Sequence, residues 1–361
     1  MTPATAPGVA VAPIPQNNFN LLRLCFAMLV VFSHCFEVVD RNRVREPFDR
    51  LFHTLSLGDL AVDGFFLLSG FLILHSWQRD PRFSAFMMRR ILRIHPGFIV
   101  ATLVGGLLVA PLFAASAAGY WSALEPGKFV GCMLLLCEPM VPPSFAGLPY
   151  PDLNGAMWTI QYEFLCYTLV AVVGVIGLAG SRALWLVLLV AAIIASFFPD
   201  TFMALKGGDK VRWLICDEPP SFIRFMTFFS AGALFYLNRA RITLHGKWAL
   251  PLAVLCFVAL FRFDTGKIVL PIAGAYVLFW LAFKPLPANA LSRFCAKRDL
   301  SYGVYLYGWP GQQSLLFLLR PISPYLLYLP AAAVALVCGA LSWVLIEQRF
   351  LRLKPGGASR H

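Results

Sequence analysis

Residues 21–36 read LLRLCFAMLVVFSHCF, an apolar run that contains one arginine, Arg23, and one histidine, His34. With its apolar neighbours this run reaches the ~20 residues that a membrane-spanning helix needs. An ionisable group inside a membrane costs at least ~2.5–3.5 kcal/mol, so each one is a candidate functional residue. Eleven steps of ~100° make three turns plus ~20°. Arg23 and His34 therefore share one face of the predicted helix, about 16 Å apart along its axis.

The composition extends this reading to the whole chain. Of the 361 residues, 59% are hydrophobic and 13% are charged, against ~45–50% and ~25% in soluble domains. The excess of apolar residues predicts an all-α, polytopic membrane bundle whose main partner is the lipid bilayer. Apolar runs predict about ten transmembrane helices, at 19–39, 57–78, 93–116, 156–178, 183–199, 221–237, 247–262, 266–284, 300–319 and 323–349.

The charges indicate orientation rather than a nucleic-acid partner. The net charge is +12, but the basic residues lie mainly in the connections between apolar runs. More of them fall on the side of the N-terminus, which predicts that both termini are cytoplasmic. We expect residues 1–16 to be a disordered cytoplasmic tail, 17–352 to be the transmembrane domain and 353–361 to be a second short tail. The nine cysteines lie mostly in apolar runs and predict neither a disulfide framework nor a metal site.

Depth along the predicted helices brings three titratable residues to one level. Asp63 lies ~9 Å and Glu163 ~10 Å below the outer ends of their helices. Both are therefore expected near His34, in the outer half of the bundle. One imidazole and two carboxylates could form a general-base site or a proton relay. His34 could alternatively serve only as a hydrogen-bonding group between helices.

The opposite side of the bundle carries a basic cluster. The stretch FMMRRILRIHP places Arg89, Arg90 and Arg93 at the inner edge of the third predicted helix. Guanidinium groups bind phosphate oxygens in a bidentate fork and keep their charge, which fits a cytoplasmic polyphosphate ligand. The usual role of an arginine cluster at a membrane edge is instead to contact lipid headgroups and fix the topology.

Six stretches, taken in order, resemble the acyltransferase-3 family of integral membrane acyltransferases. They are NLLRLCFAMLVVFSH, VDGFFLLSGFLI, RRILRIHP, MWTIQYEFLCY, SYGVYLYGWP and WVLIEQRF, and they extend over about 17–352. The sequence departs from the family pattern at Gly308, where many members have histidine, and at Gln348–Arg349, where an Arg–Pro pair is common.

The resemblance implies an enzyme that transfers an acyl group, commonly acetyl, from cytoplasmic acyl-CoA to a hydroxyl of an extracytoplasmic glycan or glycoside. The implied location is the bacterial cytoplasmic membrane, and no metal is expected. It implies a catalytic role for His34, and Glu163 matches an acidic residue of the family's fourth helix. Asp63, predicted at the same depth, is a further catalytic candidate. We expect donor-binding and substrate-binding residues as follows: Arg23, Arg89, Arg90 and Arg93 for the donor, and Ser69 and Trp158 for the substrate.

A transport protein is the competing hypothesis. A proton-coupled transporter or flippase for a saccharide or lipid-linked solute could use the same three titratable residues as a relay. It would not need an arginine cluster at fixed spacing, and the sequence shows no internal repeat of the kind common in transporters.

Overall fold

A computed structural model of the protein describes residues 14–204, 218–285 and 290–354. This part of the chain consists of α-helices and connections, without β-strands. Most of the two tails predicted at 1–16 and 353–361 lies outside the described residues. The helices are α1 Phe19–Asp40, α2 Pro47–Phe52, α3 Leu57–Arg79, α4 Phe83–Leu112, α5 Ala117–Ala123, α6 Pro126–Leu135, α7 Trp158–Val175, α8 Arg182–Ala195, α9 Pro199–Ala204, α10 Pro219–Asn238, α11 Gly246–Ala259, α12 Asp264–Phe283, α13 Ala290–Lys297, α14 Ser301–Leu319 and α15 Pro324–Arg352.

Each of the ten predicted spans corresponds to one of these helices. Within the described residues, six helices are long and apolar enough to cross a membrane: α1, α3, α4, α7, α12 and α15. The predicted spans at 183–199 and 247–262 form α8 and α11, which have only 14 residues each. The other two form α10 and α14, of 20 and 19 residues, which are long enough but more polar. The architecture is that of a polytopic helical membrane protein.

The start of α4 differs from the sequence prediction. The helix begins at Phe83, ten residues before the predicted start, and therefore contains the whole arginine cluster. The apolar pattern does not include this basic stretch, because arginine is unfavourable in a membrane. The structure tolerates these arginines because they contact carboxylates, hydroxyls and aromatic rings, as described below.

The α1 helix lies between α3 and α14, with α15 beside it. This position buries one long face of α1, including Ala27, Val31 and His34, inside the bundle. The residues that the sequence singled out on α1 are thus surrounded by other helices rather than by lipid.

Two glycines bring α3 and α10 into backbone contact. A Cβ atom added at Gly70 would lie 2.0 Å from the carbonyl oxygen of Phe229, and one added at Gly232 would lie 2.0 Å from that of Leu67. No side chain fits at either position. This close approach fixes how far α3 is rotated about its own axis, and it therefore decides which neighbours Asp63 and Ser69 meet.

The connections between helices form two separate groups. Thr54 Oγ1, before α3, donates to the carbonyl oxygen of Leu260, after α11, at 2.6 Å. At the other end of the bundle, Asn18 Nδ2 donates to the carbonyl oxygen of Lys284, after α12, at 2.7 Å. If the ten predicted spans cross the membrane alternately, the two connections joined in each pair lie on the same side of it. We refer to these sides as the predicted outer and inner faces.

Candidate active site

His34 lies on α1 against an aromatic side chain of α14. Its ring is 7% exposed and makes an edge-to-face contact with Trp309, with 4.9 Å between ring centroids. The indole Nε1 of Trp309 donates to the carbonyl oxygen of Asp152 at 3.1 Å, which holds the indole in place. Within the described residues the imidazole has no hydrogen-bond partner. Its nitrogen atoms therefore remain available for a proton or a substrate.

Arg23, at the other end of the same helix, faces the same neighbour. Its Nη1 lies 3.2 Å from Oδ2 of Asp299, just before α14 begins. The shared face that the spacing predicts for Arg23 and His34 is thus directed at α14. One helix links a cation near the predicted inner face to an imidazole near the outer one.

A cavity of about 250 Å³ opens beside Arg23, and we call it the inner cavity. Four basic side chains line it, together with polar groups and apolar side chains from α3. Its basic and polar lining residues are Arg23, Arg90, Arg93, Lys354, Ser69, Ser76, Glu163 and Tyr167. A concave, enclosed site with this many cations is suited to an anionic ligand.

Two of these arginines are compensated differently. Arg93 lies 2.5 Å from Asp299 and 3.1 Å from Glu347, so two carboxylates hold it. Arg90 donates from Nη2 to Ser76 Oγ at 3.2 Å, and its buried Nε has no hydrogen-bond partner. In the part of the chain that the structure describes, no carboxylate lies within salt-bridge distance of Arg90. Arg90 is therefore the arginine best placed to gain an anionic partner.

Arg89, which the sequence predicted to bind the donor, points elsewhere. Its guanidinium lies 2.6 Å from the carboxylate of Asp80, and it is not among the residues lining the inner cavity. Hydrogen bonds from Arg82 and Arg89 hold the pKa of the Asp80 carboxyl well below its usual range. Successive helical residues project ~100° apart, which separates Arg89 from Arg90.

Glu163 lies at the junction of two cavities. Its Oε1 accepts hydrogen bonds from Ser69 Oγ at 2.9 Å and from Tyr167 Oη at 2.5 Å. Arg23, Phe65 and Glu163 line both the inner cavity and a smaller cavity of about 40 Å³. The smaller cavity also reaches Tyr305, one helical turn before Trp309. A path lined by protein groups thus leads from the arginines as far as Tyr305, and His34, which lines neither cavity, contacts Trp309 one helical turn further along α14.

Asp63 is not joined to His34 or Glu163. Its carboxylate makes a bidentate pair with Arg224 of α10, at 2.9 and 2.8 Å, and Arg224 also reaches Asp59 at 3.3 Å. Among the described residues, no hydrogen bond links the three predicted catalytic side chains. The predicted meeting of His34, Asp63 and Glu163 was wrong because α3 turns Asp63 toward α10.

We expect a variant with both Asp63 and Arg224 neutralised to recover the stability and activity that a change at Asp63 alone removes. Asp63→Asn leaves Arg224 with one carboxylate, and we expect it to lower stability by about 2–4 kcal/mol because one partner of a buried pair is lost. Asp63→Asn with Arg224→Gln should recover most of the stability and activity. Thermal unfolding and acyl transfer of the purified variants would measure both. If stability returns in the double variant but activity does not, Asp63 has a chemical role.

The two predicted substrate-binding residues occupy different places. Ser69 is buried, lines the inner cavity and donates to Glu163. Trp158, at the start of α7, packs on Tyr162 and Phe225, with ring centroids 5.5 and 5.8 Å apart. It lines neither the inner cavity nor the smaller one. Only Ser69 is therefore positioned beside the path between the arginines and His34.

Gly308 allows close packing of α14 on α1. A Cβ atom at Gly308 would lie 2.9 Å from Cγ2 of Val31, three residues before His34. A histidine here, as the family resemblance gives for many members, would require Val31 to move. The space that an imidazole would occupy is filled by the valine.

Sequence reasoning did not assign a site role to several charged residues of these networks, among them Asp299, Glu347, Arg224 and Lys354. Asp299 and Glu347 lie at the predicted inner ends of α14 and α15, level with the arginine cluster. Buried arginines are commonly paired with carboxylates, so acids at that depth were a usable signal. Lys354 follows the last helix and carried no such signal.

The family model for the acyltransferase-3 family, described as an acyltransferase domain, matches residues 16–346. The chain belongs to this family, and the protein is a membrane acyltransferase. It is 28% identical over 341 residues to an O-acetyl transferase of Shigella phage Sf6, covering 93% of this chain and 96% of the relative.

Two further relatives are similar to this chain. Nodulation protein 10 of Rhizobium leguminosarum bv. viciae is 30% identical over 387 residues, with 96% of each chain covered. Acyltransferase MdmB of Streptomyces mycarofaciens is 29% identical over 196 residues, covering 49% of this chain and 46% of the relative. No solved structure matches the chain.

Proposed function

We propose that the protein moves an acetyl group from acetyl-CoA, or another acyl group from its CoA thioester, to a hydroxyl of an extracytoplasmic glycan or glycoside. The proposed site is in the bacterial cytoplasmic membrane, with both termini in the cytoplasm and residues 17–352 as the catalytic unit. The observation that carries the proposal is the cationic inner cavity, which adjoins at Glu163 a smaller cavity that extends to Tyr305, one helical turn from the Trp309 that His34 contacts.

The donor's phosphate groups would bind at the cationic end. Arg90 offers a buried Nε without a partner, and Arg23 and Arg93 lie beside it in the same cavity. Charge-assisted hydrogen bonds to phosphate are stronger than neutral ones. The low dielectric constant of a buried cavity strengthens them further. The pantetheine arm would then extend along Ser69 and Glu163 into the smaller cavity.

The thioester would react near His34. In one route, the neutral imidazole takes the proton of the acceptor hydroxyl while the oxygen attacks the thioester carbonyl. The C–S bond breaks, and the departing CoA thiolate takes up a proton. In the other route, the imidazole attacks the thioester carbonyl, and CoA leaves as the thiolate and takes up a proton. The acceptor hydroxyl then attacks the acyl-imidazole, and the released imidazole takes the hydroxyl proton. In both routes the donor thioester and the acceptor hydroxyl must each reach the His34 imidazole. One substrate comes from each face of the membrane.

The relatives' names and the site geometry favour this function over transport. The chain is similar over nearly its whole length to a phage O-acetyl transferase. A proton relay through His34, Asp63 and Glu163 would need contacts between these groups, whereas Asp63 pairs with Arg224 and Glu163 with Ser69 and Tyr167.

Covalent transfer is the test of this proposal. Purified protein in lipid nanodiscs would receive acetyl-CoA labelled in the acetyl group and a panel of bacterial surface glycans and glycosides. We expect label on an acceptor hydroxyl and release of free CoA in equal amount. Binding of acetyl-CoA without transfer to any acceptor would point to a different acceptor class. Absence of acetyl-CoA binding would contradict the proposed donor.

A further inference from the structure

Lys354 lies two residues beyond the end of α15, outside every motif discussed above. The backbone bends at residues 353–354, and the side chain of Lys354 lines the inner cavity together with Arg23, Arg90 and Arg93. Three elements, α1, α4 and the segment after α15, thus bring four cations to one enclosed space. Lys354 supplies the wall of the cavity at the predicted inner face.

The carboxylates around this space are already engaged. Asp299 contacts Arg23 and Arg93, and Glu347 contacts Arg93. Glu163 accepts hydrogen bonds from two hydroxyl groups. Within the described ranges, neither Arg90 nor Lys354 has a carboxylate at salt-bridge distance. Two cations in one partly desolvated cavity repel each other unless an anion separates them.

We propose that Lys354 binds a phosphate group of the acyl-CoA donor and completes, with Arg90, a two-cation phosphate site in the inner cavity. This inference rests on the proposed function and adds to it a donor-binding residue from the segment after the last helix. Arginine presents a planar fork to phosphate, whereas lysine presents a mobile point charge. The pair can therefore hold oxygens of one phosphate or of two adjacent phosphates.

Protonation of Lys354 gives the site a measurable signature. Burial, together with the nearby arginines, lowers the pKa of the Lys354 amine to about 7 in the empty cavity. A bound phosphate favours the charged amine and raises that pKa, so donor binding takes up a proton. Above pH 7 the free amine is increasingly neutral, and donor affinity should fall. The charged and titratable groups facing Lys354 are Arg23, Arg89, Arg90, Arg93, Glu163 and Tyr167.

The experiment measures acetyl-CoA binding to the full chain in nanodiscs at pH 6.5 and pH 8.5. We expect K354M to bind about tenfold more weakly than wild type at pH 6.5, as loss of one charge-assisted contact predicts. Wild-type affinity should fall on the order of tenfold between the two pH values. K354R keeps a permanent positive charge and should bind acetyl-CoA tightly at both pH values. Comparing wild type with K354R also removes the contribution of the donor's own titrating phosphate.

The matched control is R352M. Arg352 is exposed, ends α15 on the same face, and does not line the inner cavity. Its loss removes the same charge from the same surface, and we expect donor affinity to remain within about twofold of wild type. Thermal unfolding without ligand would show that each variant is folded.

Lipid headgroups are the other source of phosphate for Lys354. To separate donor phosphate from lipid phosphate, binding would be measured in nanodiscs of zwitterionic lipid alone and in nanodiscs with anionic lipid added. If K354M binds acetyl-CoA as wild type does in both, Lys354 does not contact the donor and the proposal is overturned, while the proposed function stands. A pH profile equal in wild type and K354R would overturn it as well. Absence of acetyl-CoA binding by wild type would overturn the donor assignment itself.

Discussion

Replacing His34 with alanine is expected to reduce acyl transfer by about 10²–10⁴-fold, the usual contribution of a general base. The loss should appear in turnover rather than in donor affinity, because His34 contacts Trp309 and does not line the inner cavity. Transfer of labelled acetyl to a glycan measures turnover. Protection of the purified variant against heat by acetyl-CoA measures donor affinity.

His75→Ala is the matched control for losing a partly buried histidine. Its Nδ1 lies 3.2 Å from the hydroxyl of Tyr236, and it lines neither cavity on the path to His34. We expect transfer near the wild-type rate in this variant. Native turnover by His34→Ala would instead show that the imidazole is a packing group, and the chemistry would have to be assigned to another residue such as Glu163.

The sequence correctly predicted the positions of ten helices and the shared face of Arg23 and His34 on α1, because both depend on local properties of the chain. Helical periodicity is a local property, so the shared face of Arg23 and His34 could be read from their spacing. Both side chains face α14, through Asp299 and Trp309. Apolar runs likewise located ten of the fifteen described helices, since burial in lipid requires a continuous stretch. The start of α4 was wrong because its first turns are polar.

Contacts between helices could not be derived in the same way. The rise per residue gives the depth of Asp63 and Glu163, but not how α3 and α7 are rotated about their axes. That rotation depends on packing, such as the backbone contact of Gly70 with Phe229. As a result, Asp63 meets Arg224, and Glu163 faces the inner cavity.

The charge balance of the site was also hidden from the sequence. Arg89, Arg90 and Arg93 look alike in a list of basic residues. Among the described residues, however, Arg89 pairs with Asp80, Arg90 has no carboxylate at salt-bridge distance and Arg93 has two. These differences depend on burial and on residues far along the chain. They lead to distinct expectations for Arg90 and Arg93.

Arg90→Ala is expected to weaken acetyl-CoA binding about ten- to hundredfold while leaving the protein stable. Loss of a charge-assisted contact to phosphate contributes ~1.5–3 kcal/mol. Removing Arg90 leaves no carboxylate unpaired, because its polar contact is with Ser76. Equilibrium binding of acetyl-CoA and thermal unfolding of the free protein would be measured on the same preparation. Arg79→Ala, at an exposed site on the same predicted face, is the control.

Arg93→Ala should differ by lowering stability as well. Glu347, whose side chain is 1% exposed, would lose its cation, and Asp299 would keep only Arg23. Leaving a buried charge unpaired costs about 3–5 kcal/mol. Adding Glu347→Gln removes the stranded charge, so the double variant should regain part of its stability without regaining donor affinity.

The combination of results separates a ligand site from a structural cluster. If Arg90→Ala binds acetyl-CoA normally and remains folded, the arginines serve to orient α4 in the membrane and the donor binds elsewhere. If Arg89→Ala weakens binding as much as Arg90→Ala, the Asp80 pair opens to admit the donor. We expect Arg90→Ala to lose only donor affinity and Arg93→Ala to lose both donor affinity and stability. This pattern follows from the different carboxylate contacts of the two arginines.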